Sequence, residues 1–154
     1  MNPLLLDSQL CFPLYAASRA MTAAYAPLLE PLGLTYPQYL VMLVLWEGDG
    51  LSVTALGERL HLDSGTVTPL LKKLEAMQYL TRRRDERDER VVRVSLTTIG
   101  QGLRKKALTV PRALFCQTGL DLKNLARLRE ELMTLTHTLR AANAQRIAHT
   151  KETP

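Results

Sequence analysis

Two cysteines, Cys11 and Cys116, are the side chains best suited to redox chemistry in this chain of 154 residues. The thiolate, not the thiol, is the reactive form. Cys11 stands just before the start of a helix, where the helix dipole and free N–H groups favour an anion. Oxidation of such a thiolate gives a sulfenic acid, which a second thiol can capture. The competing interpretation of each cysteine is a small buried hydrophobe, and on the residues alone it is the more ordinary one. His61, His137 and His149 show no ligand spacing with one another or with the cysteines, so no metal is expected. There is neither a Gly-rich phosphate loop nor a Gly-x-Ser-x-Gly elbow, and no cofactor is expected.

A second chemistry is written between Leu51 and Thr97. Ser52 is a good N-cap, and Val53, Leu56 and Leu60 follow on one helical face. His61-Leu62-Asp63 connects to a longer helix, for which Ser64 is the N-cap candidate. Val67, Leu70, Leu71, Leu74 and Met77 form its apolar stripe. Its other face carries Thr66, Thr68, Pro69, Lys72 and Lys73. Small hydroxyl residues at the start of a second helix suit base edges and phosphates, and lysines suit phosphates. Pro69, about one turn in, costs little as a missing donor. Two β-like runs follow, Thr81 to Arg84 and Val91 to Leu96, the latter alternating with period two. Between them lies the Asp85–Arg90 tip, DERDER. Residues 82–90 hold five Arg and four acids, so this is no polybasic tail. An arginine at such a tip, Arg84, Arg87 or Arg90, fits the enhanced negative potential of a narrow minor groove. Read without the preceding helices, the tip is better taken as a solvated hairpin whose ion pairs contribute little.

Other elements must hold this helix-turn-helix and wing. A helix from Pro13 to about Leu32 carries Leu14, Ala17, Met21, Tyr25 and Leu28 at spacings of three and four. Pro27 and Pro31 bend or end it, and Gly33 is a C′ candidate. Thr35 caps the next helix, whose nearly all-apolar run from Tyr39 to Trp46 marks it as central. Beyond the wing, Thr97 caps a helix to about Gly119, interrupted at Pro111. A last helix begins near Asp121, and Leu125, Leu128, Leu132, Leu135 and Leu139 step along it by 3, 4, 3, 4. That seam calls for another long helix. With the apolar N-terminus it favours an intertwined homodimer over simple intramolecular packing, because helix-turn-helix proteins read two half-sites about one DNA turn apart.

Composition agrees with one domain over residues 1–154, with 46% hydrophobic residues to build a core. Net charge is −3 over residues 1–50, −1 over 51–63, +3 over 64–97 and +6 over 98–154. Positive charge thus begins at the candidate recognition helix, which supports an anionic partner, while the C-terminal excess equally suits solvated helix faces. No apolar run is long enough to span a membrane. The N-terminal stretch lacks a basic n-region and contains Asp7, against a signal peptide. A cytoplasmic location follows by default, where a structural disulfide is not expected.

The stretches LTYPQYLVMLVLWE, LGERLHLDSGTVTPLLKKLE and RRRDERDERVVRVSLTTIG resemble the MarR family of bacterial regulators, and within it the organic-hydroperoxide-resistance branch. The resemblance covers residues from about 5 to 145. It implies a mainly α fold with a small β-wing: a winged helix-turn-helix at about 51–97 and dimerisation helices at about 5–32 and 98–149. It implies that Cys11 is the peroxide-sensing cysteine, with Tyr25 and Tyr36 hydrogen-bonding to it. Cys116 then corresponds to the second cysteine of the two-cysteine subclass, which resolves oxidised Cys11 as a disulfide between subunits. Asp88 corresponds to the acid bracing the wing tip, and Arg90 to the arginine in the minor groove. The doubled Asp-x-Arg, Asp85/Arg87 and Asp88/Arg90, leaves open which arginine reaches it. The apolar neighbours Leu10, Phe12, Leu14 and Phe115 suit organic hydroperoxides.

The resulting expectation is a homodimeric, non-enzymatic repressor. Its partners are operator double-stranded DNA, to which Ser64, Thr66, Thr68, Pro69, Lys72, Lys73, Arg84, Arg87, Asp88 and Arg90 are assigned, and an organic hydroperoxide as inducer. Its rivals are a repressor of the same family gated by a small aromatic ligand, a thiol peroxidase and a non-specific architectural DNA protein.

Overall fold

The computed structural model describes the backbone of residues 2 and 4–152 and the side chains up to residue 146, so the side chain of His149 lies outside the described residues. The chain falls into two compact units, residues 1–114 and 115–154.

In the first unit, α1 (Cys11–Leu29) passes into a 3-10 turn (Glu30–Leu32) that ends at Gly33 in the left-handed region, φ 65°. The first helical residue is Cys11 itself. α1 therefore starts two residues before Pro13, which is free to occupy a first turn because no N–H is needed there. α2 (Tyr36–Glu47) follows Thr35, whose N–H is accepted by the Gln38 side chain at 2.8 Å. Its Tyr39, Val41, Met42, Val44 and Leu45 are buried, which makes it the central helix its composition demands.

Around α2 pack α3 (Val53–Leu60) and α4 (Ser64–Ala76), through Leu56, Val67, Leu71 and Leu74, all fully buried. Ser52 caps α3 by accepting the Ala55 N–H at 3.1 Å. The cap of α4 is Asp63 rather than Ser64. Its carboxylate takes both the Thr66 N–H (2.8 Å) and the Thr66 hydroxyl (3.2 Å), two bonds where a serine oxygen would take one. Those bonds hold the Asp63 carboxyl below its ordinary range, the Thr66 N–H contributing most.

The sheet is antiparallel and three-stranded, in the order β1 (Leu51–Ser52), β3 (Val92–Leu96), β2 (Leu80–Arg84). β3 is central: Arg93 faces Arg83 across one ladder and Ser52 across the other. β1 has no sequence pattern because a two-residue strand cannot show one. α5 (Thr98–Ala107) is capped by Thr97, which accepts the Gly100 N–H at 3.0 Å. The expected interruption falls at residues 108–109. α6 (Val110–Thr118) restarts with Pro111 in its first turn, where a missing N–H breaks no helical bond.

In the second unit, α7 (Leu122–Glu152) starts at Asp121, which accepts the Asn124 N–H at 2.7 Å. Along it Leu128, Leu132 and Leu139 are exposed, and Leu125 and Leu135 half-buried. No single helix among the described residues is long and apolar enough to cross a membrane.

Candidate nucleic-acid interface and thiol site

The buried stripe of α4 fixes which residues face out. With Val67, Leu71 and Leu74 in the core, the exposed arc carries Ser64, Gly65, Thr66, Pro69, Lys72, Lys73 and Ala76. Thr68 is half-buried at its edge. A cleft between α4 and the wing brings Ser64, Thr68 and Arg90 together with Ser52 at the cap of α3, Thr54 in α3 and Arg82. Pro69, Lys72 and Lys73 lie outside this cleft, on the open face of the helix.

Three contributors escaped the sequence reading. Ser52 reads only as a cap, and nothing in the sequence singles out Thr54. Arg82 is occupied: its guanidinium donates to Glu75 at 2.6 and 3.0 Å, and its backbone N–H to the same carboxylate at 3.0 Å. That pairing holds the Glu75 carboxyl below its usual range. It fastens β2 to α4.

At the tip, Asp88 accepts from Arg90 three times, at the backbone N–H (3.1 Å), Nε (3.0 Å) and Nη2 (3.2 Å). The Arg90 side chain nonetheless stays 91% exposed, so it is aimed but not covered. The paired guanidinium lowers the Asp88 carboxyl below its ordinary range. Asp85 does different work. It accepts the Arg87 N–H (2.8 Å) and the Asp88 N–H (3.3 Å), and its other oxygen pairs with Arg93. Among the described residues, the Arg84 and Arg87 guanidinium groups have no ion-pair partner, and both side chains are exposed. The two Asp-x-Arg repeats therefore differ: one holds its own arginine, the other holds the loop.

The thiol site is divided. Cys11, at the first position of α1, and Cys116, in α6, are both free and exposed. The Tyr25 ring packs against Tyr36, tilted by 30° with centroids 4.7 Å apart, and against Tyr39, tilted by 45° at 5.7 Å. Burial, then the neighbouring phenols, push Tyr25 up to about 12, and burial raises Tyr36. Both are hydroxyl donors at any ordinary pH. Cys11 and Tyr25, however, lie on one continuous helix. Fourteen residues at 1.5 Å each separate them by roughly 21 Å, far beyond hydrogen-bond reach. Within one chain the tyrosine pair and Cys11 are not brought together.

Residues 23–107 match the family model described as transcriptional regulator SarA/Rot. The chain is 50% identical over 141 residues to the organic hydroperoxide resistance transcriptional regulator of Bacillus subtilis, covering 90% of this chain and 94% of that one. Among solved structures it is similar to reduced AbfR bound to DNA, AbfR being a Staphylococcus epidermidis protein, at 35% identity, TM-score 0.70 and coverage of 87% and 95%. Against disulfide-formed AbfR the identity is 34% and the TM-score 0.59, with coverage of 89% and 91%.

Proposed function

This chain belongs to the MarR-type winged-helix transcriptional regulators, in the organic-hydroperoxide-resistance branch, and from that premise we propose that it is a homodimeric repressor released from operator DNA by oxidation of Cys11. The observation that carries the reading is the division of the thiol site. Cys11 is exposed at one end of α1, and the half-buried phenol pair Tyr25 and Tyr36 sits at the other. A second chain supplies the missing half when two α1 helices run side by side in opposite directions. Phe12, Tyr15 and Met21 of α1, with Leu10 at its cap, are exposed apolar side chains that such a pairing would cover, and the seam of α7 offers a second apolar face.

In the reduced dimer, Ser64, Thr66, Thr68 and Pro69 face base edges and phosphates of the major groove, Lys72 and Lys73 meet phosphates, and Arg90 enters the minor groove. The Cys11 thiolate attacks the terminal oxygen of an organic hydroperoxide. The O–O bond breaks, the alkoxide leaves and takes a proton to become the alcohol, and sulfur is left as a sulfenic acid. The Cys116 thiolate then attacks that sulfur. The S–O bond breaks, hydroxide takes a proton and leaves as water, and a disulfide remains. A loss of about 4 kcal/mol in specific binding is about a thousandfold in affinity, well within what a covalent bond across a movable interface can impose.

The test is a gel shift on the promoter DNA flanking the gene, at fixed salt, before and after one equivalent of cumene hydroperoxide. Release that dithiothreitol reverses, with a disulfide-linked dimer absent in Cys116→Ser and no release in Cys11→Ser, is the expected result. Binding indifferent to peroxide refutes the redox reading.

A further inference from the structure

Beside the Arg82–Glu75 pair that fastens β2 to α4, a second side chain, Arg93, ties the wing to the turn that leads into the helix-turn-helix. Arg93 lies on the central strand β3, flanked by β1 and β2. Its Nε donates to Asp85, diagonally across the hairpin. Its Nη1 donates to the carbonyl oxygen of Gly50 at 3.1 Å, in the turn that enters β1 and the cap of α3. The same turn is held again from the other end of β3, where the Leu96 N–H donates to Asp49 at 2.8 Å. Asp85, its side chain only 13% exposed, passes the constraint outward by accepting the Arg87 and Asp88 N–H groups. Asp88 then holds Arg90.

We propose that Asp85 and Arg93 are positioning residues: a two-ended strut from the Gly50 carbonyl to the wing tip that sets the angle at which Arg90 is presented to DNA. The proposal rests on the DNA-binding reading above and deepens it. Arg93 itself need not touch DNA, and Asp85 places a negative charge on a surface meant for a polyanion. A charge in that position is unfavourable for binding by simple Coulomb repulsion. Its presence is explained when the geometry it enforces outweighs that repulsion. Only a guanidinium spans both acceptors, because its N–H groups form a rigid fork, whereas an ammonium is a single point.

Three variants test this on the full-length protein: Asp85→Asn, Arg93→Lys and Arg93→Met. The readout is affinity for the flanking promoter DNA by fluorescence anisotropy, with thermal melts as a check on folding. Asp85→Asn keeps an acceptor for the loop N–H groups but loses the charged partner of Arg93. The expected result is binding roughly threefold to fivefold weaker, the range of an exposed ion pair, although the protein has become more positive. Unchanged or tighter binding overturns the proposal, because electrostatics alone then decides. Arg93→Lys should match Arg93→Met. If lysine restores wild-type affinity, Arg93 is a phosphate contact and the strut is refuted. A measurement on the free protein separates this from the larger reading. The Arg93 Nε–H should give a resolved, slowly exchanging NMR signal that is lost in Asp85→Asn. If wild-type protein binds no promoter DNA, the repressor reading fails while this signal still decides the strut: its presence supports it, and its absence overturns it.

Discussion

Gly100→Ala should destabilise the protein although the position is helical. On intrinsic propensity alone, Gly to Ala inside a helix gains up to about 1 kcal/mol. At Gly100 the added Cβ would stand 1.9 Å from the Tyr79 carbonyl oxygen, 2.9 Å from its carbon and 3.3 Å from a Leu96 methyl group. The first two are backbone atoms at the foot of β2, so no side chain can swing aside. Relief requires α5 and the wing base to part by more than 1 Å. That movement strains the Thr97 N–H to Tyr79 oxygen bond (3.1 Å) and the Trp46 Nε1–H to Gly100 oxygen bond (2.9 Å). Overpacking costs about 1–3 kcal/mol and each lost hydrogen bond about 1 kcal/mol. After the propensity gain, a net loss of about 2–4 kcal/mol is expected. Two other glycines serve as controls. Gly102, in the same helix, has nothing within 4 Å of its Cβ position, so Gly102→Ala should be neutral to stabilising. At Gly57 the Cβ would meet the Leu62 carbonyl oxygen at 2.7 Å, so Gly57→Ala should fall between the two. Urea unfolding followed by Trp46 fluorescence, at one protein concentration, ranks all three. Gly100→Ala as stable as wild type, or more stable than Gly57→Ala, would refute the reasoning.

Lys72→Ala should weaken DNA binding uniformly across sequences and reduce the salt dependence by about one phosphate contact, whereas Arg90→Ala should weaken it most on sites with a narrow minor groove; titrations at several salt concentrations on A·T-rich and G·C-substituted sites separate the two. Tyr25 ionises near 10.0 when exposed but only at about 12 in the fold. The unfolded chain therefore loses this proton first, and the associated stability is complete below pH 10 and lost between about 10 and 12; Tyr25→Phe should flatten that fall in urea midpoints measured against pH. Leu132→Glu, in the exposed seam of α7, should shift sedimentation from dimer to monomer without changing helical content. Tyr79→Phe removes the hydroxyl donor to the Leu32 carbonyl oxygen (3.0 Å) between the end of α1 and the wing base; oxidation of Cys11 should proceed at the wild-type rate while DNA release becomes less complete, read by thiol titration beside the gel shift.

Much of this fold could be read from side-chain spacing because its signals are local. Ser52, Thr35 and Thr97 mark helix starts because each is followed at once by helical periodicity. The same reasoning placed the α4 cap one residue late. Asp63 and Ser64 are adjacent and both competent, and only the geometry of the preceding turn decides between them. His61 occupies that turn in the left-handed region, φ 57°, where glycine is the usual choice, so no glycine signalled it. The second hairpin strand is evident from alternation, but the Asp85–Arg93 pair depends on register, which a six-residue acidic and basic tip does not specify. Once Arg84 is paired with Val92 and Asp85 with Val91, the diagonal that joins Asp85 to Arg93 follows.

If Cys11 is the sensor proposed above, its separation from Tyr25 gives a reason for a switch of two chains rather than one well-built pocket. A cysteine held by tyrosines of its own chain would report oxidation to its own surroundings, and nothing would oblige a distant recognition helix to move. Here Cys11 opens α1, while Tyr25 lies near the other end, where Leu29 enters the core and the next turn meets Tyr79. Tyr79 in turn adjoins β2, and its carbonyl oxygen accepts the N–H of Thr97 at the head of α5. If one chain's cysteine docks on the other chain's phenols, a change at that sulfur pushes on the partner's α1 terminus. The rigid connections through Leu32, Tyr79 and Thr97 then lead to the partner's wing. Two half-sites must be engaged at a set spacing for full affinity, so a small displacement in each chain is counted twice at the DNA. On the proposed reading, the roughly 21 Å between Cys11 and Tyr25 on α1 would turn a local oxidation into a change between subunits.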